Sequence, residues 1–183
     1  MDAGLPLGTM AVISAMEFQV ENFLEGVFAI LKDTGLDPRP LELELTESVL
    51  MKRAGATESI LRKLRARGVQ LAVDDFGTGY SSLSHLRKFP IDALKIDQSF
   101  VRQITTAPDE TAIVTAIISM GRSLKLSVVA EGVGVETQEE LEFLQAHQCD
   151  EAQGYYFSPP VVAEQFAKLL KTGIPEAFVV AHR

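Results

Sequence analysis

The chain has 183 residues, 46% hydrophobic and 23% charged, a profile that excludes an intrinsically disordered protein. Asp and Glu number 25 against 17 Lys and Arg, a formal net charge of −8; this excludes a non-specific nucleic-acid polymer binder, whose surface must be basic to replace counterions, and leaves room for a local basic pocket. The single cysteine (Cys149), the lack of zinc-spaced Cys/His clusters and of any apolar run of the roughly 18 residues that span a membrane, and the start MDAGLPLG exclude disulfide-stapled, zinc-finger, membrane-inserted and secreted readings, so a reducing cytoplasm fits.

Short apolar segments that end in polar residues read as buried strands, and apolar residues recurring every three or four positions read as helices. Met10–Ser14 is the first strand. A helix follows over Phe18–Asp33, with Phe23, Phe28, Ile30 and Leu31 at helical spacing, and stops before Gly35. Leu41–Thr46 is the second strand. Thr57–Arg67 places Ile60, Leu61 and Leu64 on one helical face, with Gly68 as its C-cap. Val69–Asp74 and Ala93–Ile96 are the third and fourth strands. The helix Asp109–Leu124 opens with acids and runs Ile113, Ile117, Met120, Leu124. Ser127–Ala130 is the fifth strand, and Thr137–Ala146 begins with a threonine and acids that suit a helix N-terminus. Glu151–Tyr156 is the sixth strand and Val162–Lys171 the last helix. No repeat, linker or change of composition interrupts the series, which reads as a single domain over residues 1–183.

Strand alternating with helix predicts parallel strands joined by crossover helices, an α/β domain. The count alone does not separate an open sheet from a barrel. Glu44 and Glu47, Asp74 and Asp75, Asp97 and Glu131 all fall at or near the C-terminal ends of predicted strands. In a β/α barrel those ends converge on one face, whereas open sheets bind only near a switch point. The acids therefore favour the barrel.

Carboxylates crowded on one face repel each other unless a hard divalent cation compensates them, and oxygen ligands point to Mg²⁺ or Mn²⁺ rather than zinc. Successive side chains on a strand point to opposite faces, so Asp74 and Asp75 share a site only if the chain leaves the strand there. Gly77 and Gly79 in the following Phe-Gly-Thr-Gly allow that exit. A carboxylate pair at such a bend suits two bridged metals and in-line displacement at phosphorus. Lys95 is a candidate to hold a phosphate or orient an attacking water.

Taken singly, each group also has a plainer reading. Glu42, Glu44 and Glu47 fit a solvated edge strand, Asp75 a turn, Lys95 beside Asp97 a surface ion pair, and Glu131 a helix-approach acid. Their common position at strand ends argues for a joint role. His85, His147 and His182 have no paired spacing and read as structural or surface residues, and Cys149 reads as a small core residue.

The chain carries ELTES from Glu44 to Ser48, DDFGTGYSSL from Asp74 to Leu83, FPIDALKID from Phe89 to Asp97, AEGV from Ala130 to Val133 and QGYYFSPP from Gln153 to Pro160. Over about Ile13 to Ala167 it resembles the EAL-domain family of cyclic di-GMP phosphodiesterases. The resemblance implies a TIM-like (β/α) barrel in which paired Mg²⁺ or Mn²⁺ ions activate a water to open cyclic di-GMP to pGpG. It implies that Glu44 ligates the first metal, that Asp74 bridges both, and that Asp75 and Glu131 hold the second. Glu131 is then also the candidate general base. Lys95 would hold the nucleophilic water or a phosphate, with Asp97 beside it. Glu47 would anchor the loop after Asp74 and Asp75, which the family uses for dimerisation, and Gln153 would add a polar contact.

Three departures accompany the match. No Glu-Ala-Leu tripeptide stands upstream of Glu44, so about six of the eight strands of a barrel are expected here. The family's Val-Asn-x-Ser reads Ala11-Val12-Ile13-Ser14, which puts Val12 at the position of an Asn ligand. After Ala130 the chain reads AEGVGVET where the family reads AEGVET, which leaves Glu136 as the candidate second acid on a longer loop. The expectation is a partial EAL domain, impaired or inactive as a phosphodiesterase, the alternative being a non-catalytic module that binds cyclic di-GMP or a protein. An opened barrel also exposes strand edges and apolar surface, so a homo-oligomer, a domain swap or a rearranged N-terminal segment is expected to close it.

Overall fold

Parallel strands alternating with helices run through the computed structural model, which describes residues 9–13, 15–18, 20–51, 54–79, 86–131 and 135–172. The elements in chain order are β1 (Thr9–Ile13), α1 (Ala15–Phe18), α2 (Phe23–Thr34), β2 (Leu41–Thr46), α3 (Glu47–Met51), α4 (Ala54–Ala66), β3 (Gln70–Phe76), β4 (Ala93–Ile96), α5 (Gln98–Val101), α6 (Pro108–Leu124), β5 (Ser127–Ala130), α7 (Gln138–Ala146), β6 (Glu151–Ala152) and α8 (Ala163–Thr172). No helix among the described residues is long and apolar enough to cross a membrane. The described residues fall into two compact units. One holds those up to Lys95 with Gly121–Ser127, and the other Ile96–Met120 with those from Val128 onward. The boundary falls inside β4.

In the first unit β1 pairs in parallel with β2, from Thr9 beside Leu41 to Ile13 beside Leu45. β2 pairs in parallel with β3, from Glu42 beside Gln70 to Thr46 beside Asp74. The amide of Asp92, just before β4, donates to Leu71 O at 2.8 Å, and Ser127 N donates to Asp92 O at 3.0 Å. Leu41, Leu43 and Leu45 are all buried, as are Leu71 and Val73. Helix α3 packs on β2 and β3, and α4 on β3. The buried stripe Thr57, Leu61, Leu64 of α4 follows the three-and-four spacing that keeps one helical face toward a core.

The helix expected over Phe18–Asp33 starts only at Phe23, and the separate short helix α1 ends at Phe18. Asn22 stands just before α2 as its N-cap at φ 67°, a left-handed conformation that Asn tolerates better than most residues. Helices α3 and α5 have no counterpart among the expected elements. α3 follows β2 without a loop, so its buried Val49 and Leu50 read as a continuation of the strand's apolar pattern.

In the second unit β5 pairs in parallel with β6, Val129 beside Glu151 and Ala130 beside Ala152. The expected strand Glu151–Tyr156 ends at Ala152 because the chain turns at Gly154, whose carbonyl accepts from Phe157 N at 3.1 Å. Helix α7 starts with a capping box. Thr137 Oγ1 accepts from Glu140 N at 3.2 Å, and the buried Glu140 carboxylate accepts from Thr137 N at 3.0 Å. Cys149 is half-buried and its Sγ donates to Val128 O at 3.3 Å. Burial pushes its thiol up to about 11, so it is protonated at neutral pH and inert as a nucleophile. His147 stacks on Phe143 at 3.9 Å between ring centroids, while His85 and His182 lie outside the described residues.

Candidate metal and phosphate site

Strand parity sorts the side chains. On β2 the leucines 41, 43 and 45 are buried in alternation with Glu42, Glu44 and Thr46, which share the opposite face. On β3, Ala72 lies beside Glu44 and Asp74 beside Thr46, so Asp74 shares the face of Glu44. Carboxylate oxygens of Glu44 and Asp74 lie within 4.8 Å of each other. Glu44 is buried, at 2% exposure, and Asp74 half-buried.

Lys95 on β4 meets this pair. It is 1% exposed, and its Nζ donates to Glu44 Oε1. The plainer reading from sequence paired Lys95 with its neighbour Asp97. Lys95 thus reaches a carboxylate 51 residues away, a partner that no local spacing signals. Asp97 caps α5, its Oδ1 accepting from Ser99 N at 2.9 Å.

Asp75 stands where β3 turns away. Its φ is 53°, left-handed for a residue with a Cβ. Its amide donates to Asp74 Oδ1 at 2.9 Å, and its carbonyl accepts from Thr78 Oγ1 at 2.9 Å. The Asp75 side chain is exposed.

Glu47 opens α3 and is buried, with both carboxylate oxygens lacking a hydrogen-bond partner among the described residues. A Cβ added to Gly79 would meet Glu47 Oε1 at 3.0 Å and Oε2 at 3.1 Å. The glycine thus lets the backbone after Asp74 and Asp75 approach a carboxylate closely. Gly79→Ala is expected to displace that carboxylate, at a cost of about 1–3 kcal/mol as overpacking, read as a lower midpoint in urea. Residues 80–83 of this loop lie outside the described residues.

In the second unit Glu131 follows β5 half-buried, its amide donating to Ile96 O at 3.3 Å. Gln153 N donates to Ala130 O at 2.8 Å, which carries the β5–β6 pairing to the residue before Glu131. Glu136 is exposed and pairs with Arg102 at 3.4 Å. Residues 132–134 of the loop after Glu131 lie outside the described residues. Val12 stands in register beside Glu44, so the position at which the family resemblance calls for Asn adjoins the Glu44 carboxylate strand.

The oxygen-only donors of Glu44 and Asp74 suit a hard divalent cation. Two carboxylates this close, one of them buried, need positive charge nearby, and Lys95 supplies one unit of it.

Comparison with known proteins bears on this arrangement. A family model described as EAL domain matches residues 6–160. The cyclic di-GMP phosphodiesterase PA2567 of Pseudomonas aeruginosa is 41% identical over 167 residues, covering 91% of this chain and 28% of that protein. The c-di-GMP complex of the PaMucR phosphodiesterase superposes with a TM-score of 0.83 at 42% identity, over 87% of this chain and 64% of that one. The manganese and cyclic di-GMP complex of Klebsiella pneumoniae BlrP1 gives a TM-score of 0.75 at 33% identity, over 84% of this chain and 39% of that one. The chain spans less than a third of the length of the curated relatives it matches.

Proposed function

Since the chain belongs to the EAL domain family, whose α/β fold of the TIM-barrel type it shares, we propose that it works in cyclic di-GMP signalling. Its site is built for hydrolysis of cyclic di-GMP to pGpG, and that reaction is impaired in this chain. The observation that carries the reading is the approach of the Glu44 and Asp74 carboxylates to within 4.8 Å, with Lys95 bonded to Glu44.

In this reading Glu44, Asp74, Asp75 and Glu131 are the residues that would hold divalent metal, Mg²⁺ or Mn²⁺. When bound, the metal supplies Lewis acidity toward a phosphoryl oxygen and a lowered pKa for an attacking water. Lys95 would orient an attacking water or a phosphate oxygen, with Asp97 next to it in sequence, and Glu131 would accept a proton at its carboxylate. Glu47 holds the loop after Asp74 and Asp75, Gln153 adds a polar contact, and Glu136 stands as the second acid. Impairment follows from Val12, which cannot ligate metal and stands in register beside Glu44. In this reading the chain is a single EAL-type domain, placed in the cytoplasm because its lone cysteine needs no oxidising compartment.

A second reading, favoured by the same Val12, is a module that binds cyclic di-GMP without cleaving it. Calorimetric titration with cyclic di-GMP in Mn²⁺ and in Ca²⁺, followed by chromatography of the recovered nucleotide, separates the two. Binding with slow pGpG release supports the first reading, and binding without release the second. No binding in either metal would sink both.

We further propose that the chain self-associates. Val162 and Phe166 are 61% and 49% exposed at and just before helix α8, and apolar groups clustered at a surface favour a protein partner. Light scattering at micromolar concentration is expected to give at least a dimer. A cooperatively melting monomer would refute this.

A further inference from the structure

Glu44 is a buried carboxylate whose charge is already answered. Its side chain is 3% exposed, that of Lys95 1%, and the ammonium donates to Oε1. Asp74, within 4.8 Å, adds a second negative charge. A lone carboxylate so buried is strongly disfavoured unless a cation lies against it. The ammonium and a divalent metal are two solutions to that same demand, and both are drawn to the same oxygens.

We infer that Lys95 is the resident counter-ion of Glu44 in the metal-free protein, and that a divalent cation enters the Glu44–Asp74 pair by displacing it. The inference rests on the metal-site reading above and adds a regulatory step to it. Metal loading becomes an exchange of one cation for another, and it releases the ammonium for substrate only once metal is in place. Lysine suits such an exchange. Its charge is a point at the end of a flexible stem, whereas a guanidinium would clamp the carboxylate with two parallel bonds. A lysine free to act before metal binds would have no need of a carboxylate partner so deeply buried.

Competition has a reciprocal consequence. If Lys95 opposes metal binding, removing its charge must tighten metal. The test uses the full chain without nucleotide, titrated with Mn²⁺ by calorimetry, and melted in chelator and in Mn²⁺. Lys95→Met is expected to bind Mn²⁺ roughly tenfold more tightly than wild type, within the usual range of coupling between sites. It is also expected to melt lower in chelator and to gain more from Mn²⁺. Lys95→Arg, which keeps the charge, should bind no more tightly than wild type.

If wild type binds Mn²⁺ and Lys95→Met binds it equally or more weakly, the exchange is overturned while the metal site stands. Binding by Lys95→Met alone would support the exchange strongly. If neither binds, the metal-site reading fails and takes the exchange with it. Should Lys95→Met not fold, wild type decides by acetylation of Lys95 read by peptide mass. Labelling several-fold faster in Mn²⁺ than in chelator supports displacement, and an unchanged rate overturns it.

Discussion

On the proposed reading, Asp74→Asn is expected to lower cyclic di-GMP turnover by about 100-fold or more, since it would remove an anionic metal ligand and with it the positioning of the reacting groups. Mn²⁺ affinity should fall with it. Stability in chelator should move the other way. Asp74 and Glu44 carry like charges within 4.8 Å, so neutralising one relieves repulsion and the metal-free protein should melt slightly higher. The substitution preserves shape, and the Asn carbonyl can still accept the hydrogen bond that Asp75 N gives to Asp74 Oδ1 at 2.9 Å. Loss of turnover with a raised chelator melt would identify a charge placed for metal at the expense of the empty site. A lowered chelator melt would mark Asp74 as a structural residue instead.

Leu94→Ala is expected to cost about 2–5 kcal/mol, the range for emptying a leucine site in a close-packed core. Leu94 is fully buried on β4, between Ala93 and Lys95, with its side chain on the opposite face from the Lys95 ammonium. At roughly 2–4 °C per kcal/mol for a chain of this size, the midpoint should drop by many degrees. Ile30→Ala provides the contrast. Ile30 is 64% exposed, and a surface truncation should stay within about 0.5 kcal/mol. Urea melts of the two variants check both values, and equal losses would contradict the burial assigned to β4.

Much of the α/β pattern can be read from residues alone, because a buried parallel strand needs a short apolar run and a crossover helix needs an apolar stripe. Leu41–Thr46, Ala93–Ile96 and Ser127–Ala130 stand with the expected bounds. The first helix begins five residues later than its apolar spacing indicates, at Phe23, because the left-handed Asn22 before it leaves that spacing undisturbed. Helix α3 was hidden by its neighbour, since the buried residues of β2 run straight on into Val49 and Leu50. Chemistry at strand ends was visible as acids, but pairing was not.

By itself, the order of residues determined the class of fold, the family and the acids at the ends of its strands, since these depend on local periodicity and on motifs that need no partner. Tertiary structure alone decided that Lys95 answers Glu44, that Asp75 turns out of β3 at positive φ, and that Gly79 lies against Glu47. Charge compensation and close packing act through space. A buried carboxylate takes whatever cation the fold brings nearest, and sequence distance has no part in that choice.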